Sequence, residues 1–223
     1  MKLNRKPPAA VLFDLDGTLV DTAPDLGHAA NLVRQECGLT PLPLDDYRPE
    51  ASSGARGLLK VALGLTPDHA DFNTRRDSFL AHYRANLTHR SRPFAGIPEL
   101  LLQLELHQRP WAVVTNKPGW LTQPLLAQLQ WLDRSACWVA GDTAAKPKPA
   151  ADPLLHATQH MQLAADQCVY VGDDLRDIQA AHAAGMPCIA AAWGYLGHNP
   201  DIASWNADAV SQTPADINAL IGI

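Results

Sequence analysis

The chain has 223 residues, of which 47% are hydrophobic and 18% charged, with a net charge of −5. That length suits one large domain or a core with a modest insertion, and the composition excludes a disordered chain. The negative balance offers no broad basic surface for nucleic acid, so a small anionic substrate needs a local positive site.

The opening, residues 1–8, is basic, but the apolar segment after it ends at Asp14, too soon for a secretory signal. No segment is apolar enough to span a membrane, so a cytoplasmic protein is expected. The stretch Val11-Leu12-Phe13-Asp14-Leu15-Asp16-Gly17-Thr18-Leu19 is an apolar run that ends abruptly in two aspartates one residue apart. The run reads as a strand buried on both faces, as in a parallel sheet. Asp14 and Asp16 then fall at its carboxyl end, where open α/β sheets place their ligand crevice. Paired carboxylates there are costly unless a cation neutralises them, and hard divalent ions such as Mg²⁺ take oxygen ligands of this kind. The plain alternative is a strand end followed by a polar turn.

Residues 24–37 then carry Leu26, Ala29, Ala30, Val33 and Cys37 at helical spacing, closed by Gly38. Pro41 and Pro43 mark residues 38–46 as a loop. Helical stretches follow at 54–64 and 68–87, with no strand expected between Asp21 and Arg92. From Phe94 the pattern alternates. Helices over 98–107, 119–130, 152–162 and 175–184 lead to strands over 111–115, 137–140, 168–171 and 187–192. A short strand at 209–210 and a helix over 214–221 close the chain. Strands alternating with helices predict an α/β fold, a doubly wound parallel sheet of Rossmann type, with an inserted helical cap domain. The core takes residues 1–19 and 93–223 and the cap residues 20–92. An insertion there hangs over the Asp14 strand end and can act as a lid.

Four cysteines, Cys37, Cys137, Cys168 and Cys188, lack Cys-x-x-Cys spacing, so neither a zinc site nor a disulfide framework is suggested. Cys137 and Cys168 lie in apolar runs and read as small buried thiols. The polar residues instead collect after strands: Asp14 and Asp16, then Thr115 and Asn116, then Lys146 and Lys148, then Asp173, Asp174 and Asp177. Taken singly, Thr115 and Asn116 read as a helix-capping turn, the lysines as solvated loop charges, and Asp173 and Asp174 as helix caps. Taken together, each after a buried strand, they point to one site.

The ordered strings Asp14-Leu15-Asp16-Gly17-Thr18, Thr115-Asn116, a lysine before proline, and Gly172-Asp173-Asp174-Leu175-Arg176-Asp177 resemble those of the haloacid-dehalogenase superfamily. The resemblance is to hydrolases with a helical cap of the first class, and it runs from about Ala10 to Ile221. Within the superfamily the chain is most similar to the phosphoglycolate-phosphatase group, through residues 19–26, Pro153-Leu154-Leu155, residues 180–186 and Trp193-Gly194-Tyr195.

The resemblance implies a phosphatase in which Asp14 is the nucleophile and forms an aspartyl-phosphate. Asp16 is then the acid for the leaving alcohol and the base for the attacking water. It further implies Mg²⁺ held by Asp14, the main-chain carbonyl of Asp16 and Asp173, with Asp177 orienting a neighbour. Thr115, Asn116 and the lysine would hold phosphoryl oxygens. The superfamily's Lys-Pro-x-Pro string fits Lys146-Pro147-Lys148-Pro149, yet counting back from Pro153 favours Lys148. In the cap, residues 52–57 read as a turn into a helix whose amides at Gly54, with Arg56, meet a substrate carboxylate; an N-cap followed by a surface arginine fits as well.

The implied substrate is a small phosphate ester, 2-phosphoglycolate or N-acetylmuramic acid 6-phosphate, both of which carry a carboxylate. A dehalogenase is disfavoured by Asp16. A phosphomutase shares all four strings and stays open. A non-catalytic sensor of a phosphorylated metabolite conflicts with the complete set. The oligomeric state is not legible.

Overall fold

The computed structural model describes residues 7–198 and 201–223; most of the basic opening, residues 1–6, lies outside the described residues. The apolar run before Asp14 is β1 (Ala10–Phe13), followed by the two-residue β2 (Val20–Asp21). Four helices come next: α1 (Ala23–Glu36), α2 (Leu44–Tyr47), α3 (Gly54–Leu63) and α4 (Phe72–Ala85), with a 3-10 turn over Arg48–Ser53. After β3 (Arg92–Pro93), α5 (Ile97–Leu106), β4 (Trp111–Val114), α6 (Gly119–Gln128) and β5 (Cys137–Val139) alternate. Then come α7 (Asp152–His160), β6 (Cys168–Gly172), α8 (Leu175–Ala183), β7 (Cys188–Ala191), β8 (Ala209–Ser211) and α9 (Asp216–Ile221).

The main sheet has six parallel strands in the order β5-β4-β1-β6-β7-β8. β1 is central, with Val11 opposite Trp111 on one side and Val169 on the other. From β1 the chain winds outward through β4 and β5, then crosses back to β6 and winds the other way. The order reverses between β1 and β6, which places the ligand crevice beyond their carboxyl ends. Side chains alternate across the sheet. Val11 and Phe13 join the apolar cluster that includes α5, α6 and α9, whereas Ala10 and Leu12 join the cluster with α7 and α8. Both faces are covered, as the unbroken apolar strands require.

α1 packs against α3 and α4 through Leu26, Ala30 and Val33 from its own side and Leu59, Phe79 and Tyr83 from theirs, within the same cluster. Gly64 ends α3 in a left-handed turn, its N–H donating to the Lys60 carbonyl and the Leu65 N–H to the Leu59 carbonyl. Two features depart from the sequence reading. The loop expected over 38–46 already contains the start of α2, because Pro43 stands at the N-cap and opens the helix instead of breaking it. The exit and return of the helical block are also zipped together, with Val20 opposite Pro93 and Asp21 opposite Arg92 in an antiparallel pair. Among the described residues no helix is long and apolar enough to cross a membrane.

Candidate active site

β1 delivers Asp14 to the crevice, its N–H donating to the Val171 carbonyl of β6 at 2.9 Å. The next residues double back: Gly17 N–H donates to the Val20 carbonyl at 3.0 Å, and Val20 N–H to the Leu15 carbonyl at 2.9 Å. Gly17 sits at φ +91°, and a Cβ there would lie 2.1 Å from Asp173 Oδ2. Glycine is needed twice over, for the turn and for the approach of Asp173.

Asp14, Asp173 and Asp177, from β1, the end of β6 and the first turn of α8, bring carboxylate oxygens within 4.8 Å of one another, all buried. Lys148 Nζ stands among them, 2.9 Å from Asp14 Oδ1 and 2.6 Å from Asp177 Oδ1, and donates to Tyr170 Oη at 2.8 Å and the Val114 carbonyl at 3.0 Å. Were all three carboxylates ionised, one ammonium would leave two negative charges in a buried site, an arrangement costly without a counter-ion. Burial, aided by the charges of Asp177 and Asp16 and opposed by Lys148, pushes the Asp14 carboxyl up to about 7. Burial and the neighbouring Asp14 and Asp177 hold Asp173 well above the usual carboxylate range. Burial works against the Lys148 ammonium, but Asp14 and Asp177 outweigh it and push its pKa up to about 12. Asp14 Oδ1 is buried and, despite its proximity to Lys148, has no geometrically sound hydrogen bond among the described residues. The residual charge, the oxygen-only donors and this orphaned oxygen all fit a hard divalent cation.

The other two carboxylates of the cluster are fixed. Thr18 Oγ1 donates to Asp173 Oδ1 at 2.6 Å and Tyr195 N–H to Asp173 Oδ2 at 2.8 Å. Asp177 Oδ2 accepts the Asp174 N–H at 3.1 Å, part of the capping box that starts α8. Asp16 faces the same cavity and accepts hydrogen bonds at Oδ1 from Lys117 Nζ at 2.8 Å and Thr22 Oγ1 at 2.6 Å. Lys117 also donates to Tyr83 Oη of α4 at 2.8 Å, so one buried ammonium joins the strand-end carboxylate to the helical block.

Thr115 is buried on the cavity wall, and its hydroxyl oxygen accepts the Lys117 N–H at 3.1 Å in a turn before α6, whose N-cap is Pro118. Asn116 behaves differently from the expectation of direct phosphoryl contact. Its side-chain Nδ2 donates to the Lys148 carbonyl and its Oδ1 accepts the Lys148 N–H, each at 2.9 Å. The Asn116 amide is therefore taken up in holding the loop that presents Lys148. Lys146 is exposed and Lys148 buried, so only the latter joins the cluster.

The cavity, of about 230 Å³, is walled on the opposite side by α4 and by the turn into α3. Ser53 stands at the N-cap of α3 without a side-chain capping bond, and Ser52, Ser53, Gly54 and Ala55 line the cavity. Arg56 is exposed and is not brought to the lining. The arginine that does reach it is Arg176, which grips Asp174 through Nε and Nη2 at 2.8 Å each and donates to the Ser52 carbonyl at 2.8 Å. Ser52 Oγ also lies 3.3 Å from Asp173 Oδ2.

Sequence reasoning did not find Lys117, Tyr83, Ser52 or the role of Arg176. Lys117 follows directly on Thr115-Asn116, and Ser52 opens the 52–57 turn, so both carried a signal; Tyr83 carried none. Gly194 is a further case. A Cβ there would lie 2.2 Å from Asp173 Cβ and 2.5 Å from the Gly17 carbonyl oxygen, so only glycine lets the two loops meet.

Comparison with known proteins places this geometry among relatives. Residues 11–191 match the family described as haloacid dehalogenase-like hydrolase. A phosphoglycolate phosphatase of Xanthomonas campestris pathovar campestris is 45% identical over 213 residues, covering 94% of this chain and 95% of its own length. An N-acetylmuramic acid 6-phosphate phosphatase of Pseudomonas aeruginosa is 37% identical over 208 residues, covering 93% and 92%. The crystal structure of a protein from Haemophilus somnus, described as a predicted phosphoglycolate phosphatase, superposes with a TM-score of 0.84 at 29% identity, covering 97% of this chain and 99% of that one.

Proposed function

The chain belongs to the haloacid dehalogenase-like hydrolase family and is a phosphatase of it, and from that premise we propose that it hydrolyses the phosphomonoester of a small carboxylated metabolite, 2-phosphoglycolate or a close analogue, with Mg²⁺. One observation carries this reading: Asp14, Asp16 and Lys148 line one cavity at the strand-order switch, beneath a helical wall, with Asp173 packed behind them in the same carboxylate cluster.

Asp14 is the nucleophile, because its carboxylate stands at the end of the central strand, on the cavity wall with Lys148 beside it. Its attack on phosphorus forms an aspartyl-phosphate and releases the alcohol. Asp16 gives that alcohol its proton and afterwards takes one from the water that cleaves the intermediate. Lys117 and Thr22 aim the Asp16 carboxylate throughout. Lys148 supplies positive charge where the phosphoryl oxygens carry negative charge, and Thr115 offers its hydroxyl hydrogen. Asp14, Asp173 and the Asp16 carbonyl would hold the Mg²⁺, with Asp177 holding Lys148 beside them. When bound, the cation neutralises the buried carboxylates and stabilises charge on the transferring oxygens.

Residues 20–92 act as the cap in this reading, and the turn into α3 supplies specificity. The start of α3 has no side-chain cap, and Ser52, Ser53, Gly54 and Ala55 there line the cavity, where helix-start amides favour an anion. A substrate carboxylate is the group that fits there. The test is phosphate release, with and without Mg²⁺, from 2-phosphoglycolate, N-acetylmuramic acid 6-phosphate and common sugar phosphates. The reading expects Mg²⁺-dependent turnover with 2-phosphoglycolate preferred. Preference for the muramic acid ester moves the substrate but keeps the chemistry, and equal rates on neutral sugar phosphates remove the carboxylate contact.

A further inference from the structure

On the opposite edge of the sheet from Asp14, three side chains from separate elements converge. His182 is in the last turn of α8, Cys188 is the first residue of β7, and Asp208 directly precedes β8. His182 Nε2 lies 3.5 Å from Cys188 Sγ, which lies 3.7 Å from Asp208 Oδ2, and the three atoms all fall within 4.8 Å of one another. Cys188 is fully buried, while His182 and Asp208 are open to solvent.

These separations have the dimensions of a coordination polyhedron. Zinc–sulfur bonds of about 2.3 Å and zinc–nitrogen or zinc–oxygen bonds of about 2.0–2.1 Å, at a tetrahedral angle, set the ligand atoms about 3.5 Å apart. With the Nε2–H tautomer of His182, the imidazole donates to Sγ while the thiol donates to Asp208, a weak relay that the metal-free site keeps; a cation replaces both protons and engages all three atoms at once. The carboxylate is also held in place, since Asp208 Oδ2 accepts the Cys188 main-chain N–H at 2.9 Å. The C-terminal end of α8, where His182 sits, carries partial negative charge that favours a cation.

We propose that His182, Cys188 and Asp208 form a binding site for one borderline divalent transition ion, zinc or cobalt, separate from the carboxylate cluster and with water completing the coordination. Thiolate and imidazole select such ions, whereas the all-oxygen cluster suits Mg²⁺, so the two sites sort cations by donor chemistry. Binding replaces the thiol proton, which passes to solvent, by a metal–sulfur bond. The ion ties the end of α8 to β7 and to the chain leading into β8. Because α8 also carries Asp177 in its first turn, the site braces the helix that supports the active-site cluster.

The test uses the intact protein, thiols reduced, with Mg²⁺ in excess to fill the carboxylate cluster, titrated with cobalt(II). The expected result is a thiolate-to-cobalt charge-transfer band that saturates at one ion per chain and is displaced by zinc. Cys188→Ser abolishes the band, His182→Ala and Asp208→Asn weaken cobalt binding by at least about tenfold, and Cys137→Ser changes nothing. His182 and Asp208 are exposed, so those variants test the site even where Cys188→Ser fails to fold. Absence of the band at equimolar cobalt, or a band indifferent to His182→Ala and Asp208→Asn, overturns the proposal.

Discussion

Lys148 shows how burial turns a loop charge into a working part. Its ammonium is the sole cation within bonding distance of Asp14 and Asp177 among the described residues, whereas Lys146, two residues earlier, is in solvent. Lys148→Ala leaves buried carboxylates unpaired, a change that typically costs about 3–5 kcal/mol of stability. It also removes the positive charge facing the phosphoryl group, where losses of about a hundredfold or more in kcat are usual. Lys146→Ala leaves both intact. Parallel kinetics and thermal melts check this, and comparable losses in the two variants would contradict the assignment. The residues at strand ends, Asp14, Asp16, Thr115 and Asp173, were legible because an apolar run that stops at a polar residue marks a site edge. Lys117–Tyr83, Ser52–Asp173 and His182–Cys188–Asp208 were not, because each contact joins residues from elements whose approach only the fold determines. Arg56 illustrates the converse: a basic residue beside a helix start that the helix phase turns to solvent.

At the scale of elements, the alternation of strands and helices from residue 94 onward was readable from its periodicity. The join between core and helical block was not, since β2 and β3 have two residues each and no periodicity to detect. Side chains secure that join. The buried Asp25 of α1 accepts hydrogen bonds from Arg90 N–H, Ser91 N–H and the Ser91 hydroxyl at 2.6–3.0 Å. Asp21 accepts from Arg48 at 2.8 Å and from the Tyr195 hydroxyl at 2.6 Å. Asp25→Ala strands several donors, one hydroxyl among them fully buried, at about 1–3 kcal/mol per unsatisfied buried group. We therefore predict a lower denaturation midpoint and faster hydrogen exchange concentrated at residues 88–93. Exchange unchanged in that segment would show that the β2–β3 pairing alone holds the join.

For the whole molecule, cation, proton and fold are linked. Without the cation, folded Asp14 keeps its proton up to about pH 7, while the unfolded chain loses it near the ordinary aspartate value of 3.8. Between those values the folded state binds more protons, so stability of the cation-free protein falls as pH rises and the penalty is complete above about 7. The raised Asp173 acts in the same direction. In the proposed function Mg²⁺ binds the ionised carboxylates, so its stabilisation is expected to be greatest where they are ionised. At a hundredfold excess over Kd, binding adds about 2.7 kcal/mol, which raises Tm by several degrees for a chain of this size. That gain is expected at pH 8 and should shrink at pH 5.5; equal gains at both would contradict the linkage. The most direct test of the account is to mix the protein and Mg²⁺ with 2-phosphoglycolate, quench in acid within one turnover and map any phosphorylated residue by mass spectrometry. The account predicts one phosphoryl group on Asp14, none in Asp14→Asn, and release of phosphate only from the unsubstituted protein. Turnover by Asp14→Asn near the unsubstituted rate, or a phosphoryl group on another residue, would contradict it.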